Sequence, residues 1–200
     1  MVMKVLPVDS GWVRAVLALT TEPWGRGPVG AAFRAHGWAP ADTDLDWEGG
    51  SGAPHFFTPG SDGPHPDDDE GTGWRFELSA DGDRPVVRLP CALFWPAFGD
   101  EPDPDDEDDL DEEYSAVWAR RPRATPADFR AEYDRLAALV GTELGAPDAT
   151  ATDDMGGRRA VWARGPLAVV LELTDDINSY SHYDVVAVTV GPAELLVPGA

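Results

Sequence analysis

One lysine, one cysteine and no long apolar run: what this 200-residue chain lacks narrows its chemistry more than what it carries. Cys91 alone forms no internal disulfide and no cysteine-based zinc site, and its apolar setting, "VRLPCALFW", predicts an inert buried thiol. No stretch reaches the roughly 18 consecutive apolar residues of a membrane-spanning helix. The opening "MVMKVLPVDSGW" has no long apolar core of a secretory leader. Both features fit a soluble, cytoplasmic protein. Cations are scarce as well, at 15 against 37 carboxylates, and Lys4 is the only lysine among them. The resulting charge of −22 repels nucleic acid and anionic membranes and attracts basic proteins.

That charge is unevenly placed. "DEPDPDDEDDLDEE" holds eleven carboxylates in the fourteen positions from Asp100 to Glu113, and Asp67–Glu70 adds four more. Setting both runs aside lowers the net charge to −7, ordinary for a soluble domain. With 42% hydrophobic residues and eight tryptophans, the remainder has the material for a packed core.

Read along the chain, "WVRAVLAL" (12–19) is short and nearly continuously apolar, which predicts a buried strand. "GPVGAAFRAHG" predicts a short helix with Pro28 in its first turn, Val29, Ala32, Phe33 and His36 on one face, and Gly37 as its stop. "ADTDLDWE" alternates like a half-buried strand, with Thr43, Leu45 and Trp47 on one side. Residues 49–72 read as a long Gly/Pro-rich loop in which Phe56 and Phe57 are the only large apolar residues. "WRFELSADGDRPVVRL" predicts a hairpin turning at Asp81–Gly82, and "YSAVWAR" another strand.

The strongest helix follows, with Thr125 as cap and Pro126 at its first position. Phe129, Tyr133, Leu136, Val140 and Leu144 then recur at helical spacing up to Gly145. The last third predicts a β-meander: 160–164, a Gly165–Pro166 turn, 167–173, a polar loop and 185–190. The fold class expected is α+β, mainly antiparallel sheet with two principal helices. An N-terminal half (1–98) and a C-terminal half (115–200) are joined by an acidic linker (99–114), and the halves can pack as one domain. "GWAPADTDLDWEGG" (37–50) echoes "GAPDATATDDMGG" (145–157), which suggests a distant β-α-β-β duplication. "AVWARRP" (116–122) and "AVWARGP" (160–166) form a second echo at a different offset.

Motifs for catalysis do not survive their context. "GRGPVG" matches the glycine spacing of a dinucleotide loop, but Pro23 and four further residues separate it from the preceding apolar run. The four histidines are scattered, and neither a nucleophile elbow nor a Walker sequence occurs. No cofactor and no metal are expected, and a nucleotide-binding enzyme is the weakest of the readings. "ELTDDINSYSHYDVV" mixes acids with Tyr and Asn, good material for a protein-recognition rim. The expected partner-binding residues are therefore Asp105, Asp106, Asp108, Asp109, Glu112 and Glu113 in the acidic run. The loop adds Asp175, Asp176, Asn178, Tyr180, His182, Tyr183 and Asp184.

In composition and in the ending "VVLELTDDINSYSHYDVVAV", the chain resembles small acidic actinobacterial proteins of uncharacterised or toxin-immunity families. That resemblance implies a cytoplasmic protein that neutralises a basic toxin by occupying its cleft. The competing expectation is a housekeeping or scaffold protein whose acidic run serves only solubility.

Overall fold

The computed structural model describes residues 1–21, 23–39, 45, 47–49, 55–57, 76–95, 118–154, 156–175 and 183–197. These form one mainly antiparallel sheet of ten strands with α-helices packed on it, an α+β fold.

The first strand, β1 (Val2–Val5), is buried at every position, Lys4 included at 3% exposure. The helix α1 (Ser10–Ala18) replaces the strand expected at Trp12–Leu19. The apolar run there is too dense to show a period, and the residue before it decides. Asp9 accepts a hydrogen bond from the Trp12 N–H at 2.8 Å, the N-cap contact that starts a helix. Trp12, Val13, Val16 and Leu17 then share the inward face. After a 3-10 turn (Leu19–Thr21), α2 (Arg26–Ala35) forms as expected, buries Val29 and Phe33, and ends at Gly37 with φ +70°. Phe33, Trp38 and Phe76 meet with ring centroids 4.8 to 5.3 Å apart, which fastens α2 to the sheet.

Two short strands follow: β2 (Glu48–Gly49), parallel to β4, and β3 (His55–Phe57), antiparallel to it. β3 lies inside the stretch expected to be loop. Of the alternating segment before β2, Leu45 is buried and Trp47 half-buried, while Thr43 lies outside the described residues. The hairpin β4 (Phe76–Asp81) and β5 (Arg84–Trp95) turns at Gly82–Asp83, one residue later than expected. Gly82, at φ +62°, supplies the left-handed conformation this tight turn needs.

β5 is twelve residues long and changes partner midway. Its start pairs with β4, its end with β1, and β10 runs along its other side. The change falls at a bulge, where Ala187 faces Pro90 and Val186 faces Ala92, leaving Cys91 as the extra residue. Pro90 has no N–H to give a ladder, so the irregularity sits where a regular pair would lose a bond anyway.

β6 (Ala119–Pro122) lies antiparallel to β1, slightly later than the "YSAVWAR" expectation. α3 (Pro126–Leu144) carries the predicted capping, with reciprocal Thr125 and Asp128 bonds, and buries Phe129, Tyr133, Leu136 and Val140. Its Phe129 stacks on Phe94 at 5.4 Å, so this helix of the second half also covers a strand of the first. The meander then runs through β7 (Ala149–Thr152), β8 (Arg158–Arg164), β9 (Leu167–Asp175) and β10 (Asp184–Pro192). Finally α4 (Ala193–Leu196) packs against Val161, Ala168 and Val170.

The sheet order is β2-β4-β5-β10-β9-β8-β7, with β3 beside β4 and β6 outside β1. Each half ends in a hairpin whose last strand, β5 or β10, meets the other at the centre. Gly37 and Gly145 both close a helix at positive φ. The shorter echo behaves otherwise: Trp118 precedes edge strand β6, whereas Trp162 lies within β8, between β7 and β9.

Candidate binding surface

Most residues expected to bind a partner lie outside the described residues: Asp105, Asp106, Asp108, Asp109, Glu112, Glu113, Asp176, Asn178, Tyr180 and His182. What the structure supplies is where their segments are anchored. Asp175 ends β9 directly opposite Asp184, which begins β10, and Asp184 in turn faces Phe94 in β5. Trp95, the next residue, is where β5 ends, five positions before Asp100. The stretches leading into the acidic run and into the 175–184 loop thus leave the sheet from neighbouring strand ends.

Asp175 and Asp184 form the last pair of the β9–β10 ladder. Along the same row, Asp184 is followed by Phe94 on β5, Met3 on β1 and Arg121 on β6.

Tyr183 requires a correction. Expected on the contact rim, it is 5% exposed, with its ring centroid 5.1 Å from that of buried Trp95. An aromatic ring at the root of a strand gains more from burial than its polar neighbours in the sequence suggest. Tyr183 and Trp95 are the floor of this end, and Asp184, half-buried, stands at its border.

Two interior charge networks went unrecognised in the sequence. Arg88 on β5 reaches Glu77 on β4 at 2.6 Å and Glu172 on β9 at 3.5 Å, bridging over β10. Thr189 of β10 stands opposite Arg88, buried, and its hydroxyl makes no hydrogen bond among the described residues. In the second network, Glu132 on α3 is 3% exposed and held by Arg135 at 2.5 Å, with Arg121 at 3.9 Å. Arg135 also donates to the Val8 carbonyl at 2.9 Å, tying α3 to the chain between β1 and α1. For the first network the available signal was a lone charge inside an otherwise apolar strand, as in "FEL", "VRL" and "LEL". In both networks each carboxylate is engaged by a guanidinium, an arrangement that fixes geometry.

Three candidate chemistries can be placed. Cys91 is fully buried, its thiol pushed up to about 12 by burial, so it is an inert thiol as expected. "GRGPVG" follows helix α1 and a 3-10 turn, where a dinucleotide loop needs a strand. The start of α2 already has its anion: the Arg26 N–H donates to the Asp83 carboxylate at 3.2 Å. Among the described residues, no group of three or more metal-ligating side chains converges.

No protein-family model matches the chain, and no curated protein or solved structure shows significant similarity to it. Its functional reading therefore rests on its own charge and topology.

Proposed function

We propose that this is a non-catalytic, acidic protein-binding protein of the cytoplasm whose partner is a basic protein, most specifically a toxin that it neutralises. The observation that carries the reading is the common root of its two acidic segments, where Phe94, Asp184 and Asp175 stand side by side across β5, β10 and β9. Carboxylates gathered at one end of a rigid sheet stand in for the phosphates a basic cleft would bind. They speed encounter through long-range attraction, and aromatic and amide side chains of the 175–184 loop supply short-range contact. The interior ion pairs support this reading by keeping the sheet that presents the charge in one register.

The test is capture from a lysate of the native organism on the immobilised full chain at low salt, eluted with a salt gradient and identified by mass spectrometry. The expected result is one stoichiometric basic protein, released as salt rises and absent when the five carboxylates from Asp105 to Asp109 become amides. A partner indifferent to both salt and those substitutions would overturn acidic mimicry. If no basic protein is retained, the acidic run acts as a solubilising joint in a housekeeping protein.

A further inference from the structure

The sheet's described edges are treated very differently. β6 exposes all four residues, but Arg120, Arg121 and Pro122 make three of them, and charge and proline are the usual protections of an open edge. β7, which ends the strand path, also exposes all four, and its sequence is Ala-Thr-Ala-Thr. It carries no charge and no proline. Its inner side pairs with β8, and among the described residues no strand pairs with its outer side.

The register shows which backbone groups face outward. The Asp153 N–H donates to the Gly157 carbonyl at 3.0 Å, continuing the β7–β8 ladder. Bonding toward β8 alternates along an antiparallel strand, so Asp153 and Ala151 point their amides inward, while Thr150 and Thr152 point N–H and C=O to the open side. That is the array an added strand would take up.

The flanking charges select its occupant. Asp148 precedes β7, and Asp153 and Asp154 follow it. Antiparallel pairing of β7 with a second copy through its outward-facing residues, Thr150 against Thr152, would set Asp148 against Asp154 at both ends, like charge on like. We infer that β7 is a docking edge for an extended segment of a protein partner, with an uncharged centre of about four residues bracketed by lysine or arginine. The choice of a basic partner rests on the function proposed above. The open edge and its outward amides do not.

The test uses the full chain, 15N-labelled, and a capped synthetic peptide, Lys-Lys-Val-Thr-Val-Thr-Arg-Lys. Amide exchange at Thr150 and Thr152 should slow by about tenfold or more at saturation, with Ala151 little changed. Thr150→Pro removes one outward N–H without touching an inward one, and should weaken peptide binding about tenfold while the chain keeps its fold. Should that variant fail to fold, the same peptide N-methylated at alternate residues must lose binding to the unaltered chain. Protection appearing at β6 or at the acidic end instead, or equal binding by the N-methylated or a Glu-flanked peptide, overturns the inference. A basic protein captured equally by the unaltered chain and by Thr150→Pro overturns the edge but leaves the proposed function standing. Peptide protection at Thr150 and Thr152 without any captured basic protein does the reverse.

Discussion

The two halves cover the same face of one sheet by different means. The first uses two short helices, α1 and α2, of which α2 is pinned by the contacts of Phe33, Trp38 and Phe76. The second uses one helix of 19 residues, begun by a capping box, whose first turn lays Phe129 on Phe94 across the joint. Helices as short as α1 and α2 draw little stability from their own hydrogen bonds and depend on tertiary packing. α3 starts with more of its own. The lesson is that local and long-range interactions can substitute for one another in covering a sheet, and the balance differs between the two halves.

That comparison breaks most readily in the core. Phe33→Ala should cost about 3–5 kcal/mol and Leu136→Ala about 2–5 kcal/mol, both being fully buried. Urea unfolding followed by tryptophan fluorescence and by circular dichroism should show one shared transition shifting in either variant, because β5 and β10 join the halves. Two transitions, each sensitive to one variant, would mean that the halves fold apart.

The helix stops sharpen it next. Gly37 and Gly145 sit at φ +70° and +84° with open space where a methyl group would project, so alanine there is opposed by backbone strain alone. Gly37→Ala should cost about 1–2 kcal/mol, and Gly145→Ala more, up to about 3 kcal/mol, because φ +84° with ψ −165° is a conformation essentially reserved for glycine; both are read from thermal or urea midpoints. A smaller loss at Gly145 than at Gly37 would mean that this helix end relaxes to take the side chain.

The smallest effect tests the caps. Thr125→Ala should cost about 1 kcal/mol in urea unfolding, and Asp9→Ala a similar amount or less, since Asp9 caps without the reciprocal bond. The Thr125 side chain and backbone hydrogen bonds hold the Asp128 carboxyl below its ordinary value of 3.8. A depressed carboxyl stabilises the fold above its unfolded value and ceases to do so as pH falls through its lower folded value. Urea midpoints compared at pH 7 and pH 3 should therefore fall less in Asp128→Asn than in the unaltered chain. Parallel falls would remove Asp128 from the account.

Legibility in the sequence followed the range of the forces involved. α3, the β4–β5 hairpin and the β8–β10 meander were readable because cap, period and turn lie within a few residues of one another. α1 was not, since eight nearly continuous apolar residues fit either period and a single Asp9 contact decides between them. β1 and β7 gave no signal. The sequence Val-Met-Lys-Val is buried by neighbours far along the chain, and Ala-Thr-Ala-Thr has no apolar face to betray a strand. Of the candidate surface, the charge was plain, but not the register that roots both acidic segments together. Tyr183 was misplaced because its polar neighbours say nothing of Trp95.

β1 bears on how the chain comes off the ribosome. Residues 2–5 emerge well before their partners, which are the end of β5 and all of β6, with the Arg123 N–H bonded to the Met1 carbonyl beyond them. The strand must wait, unpaired, until at least residues 92–95 of β5 have been synthesised. Pairings of that span close slowly. A tetrapeptide with a lysine in its middle is a poor nucleus for premature association during that wait. A charge at Lys4 disfavours such association, and the folded sheet encloses it at 3% exposure.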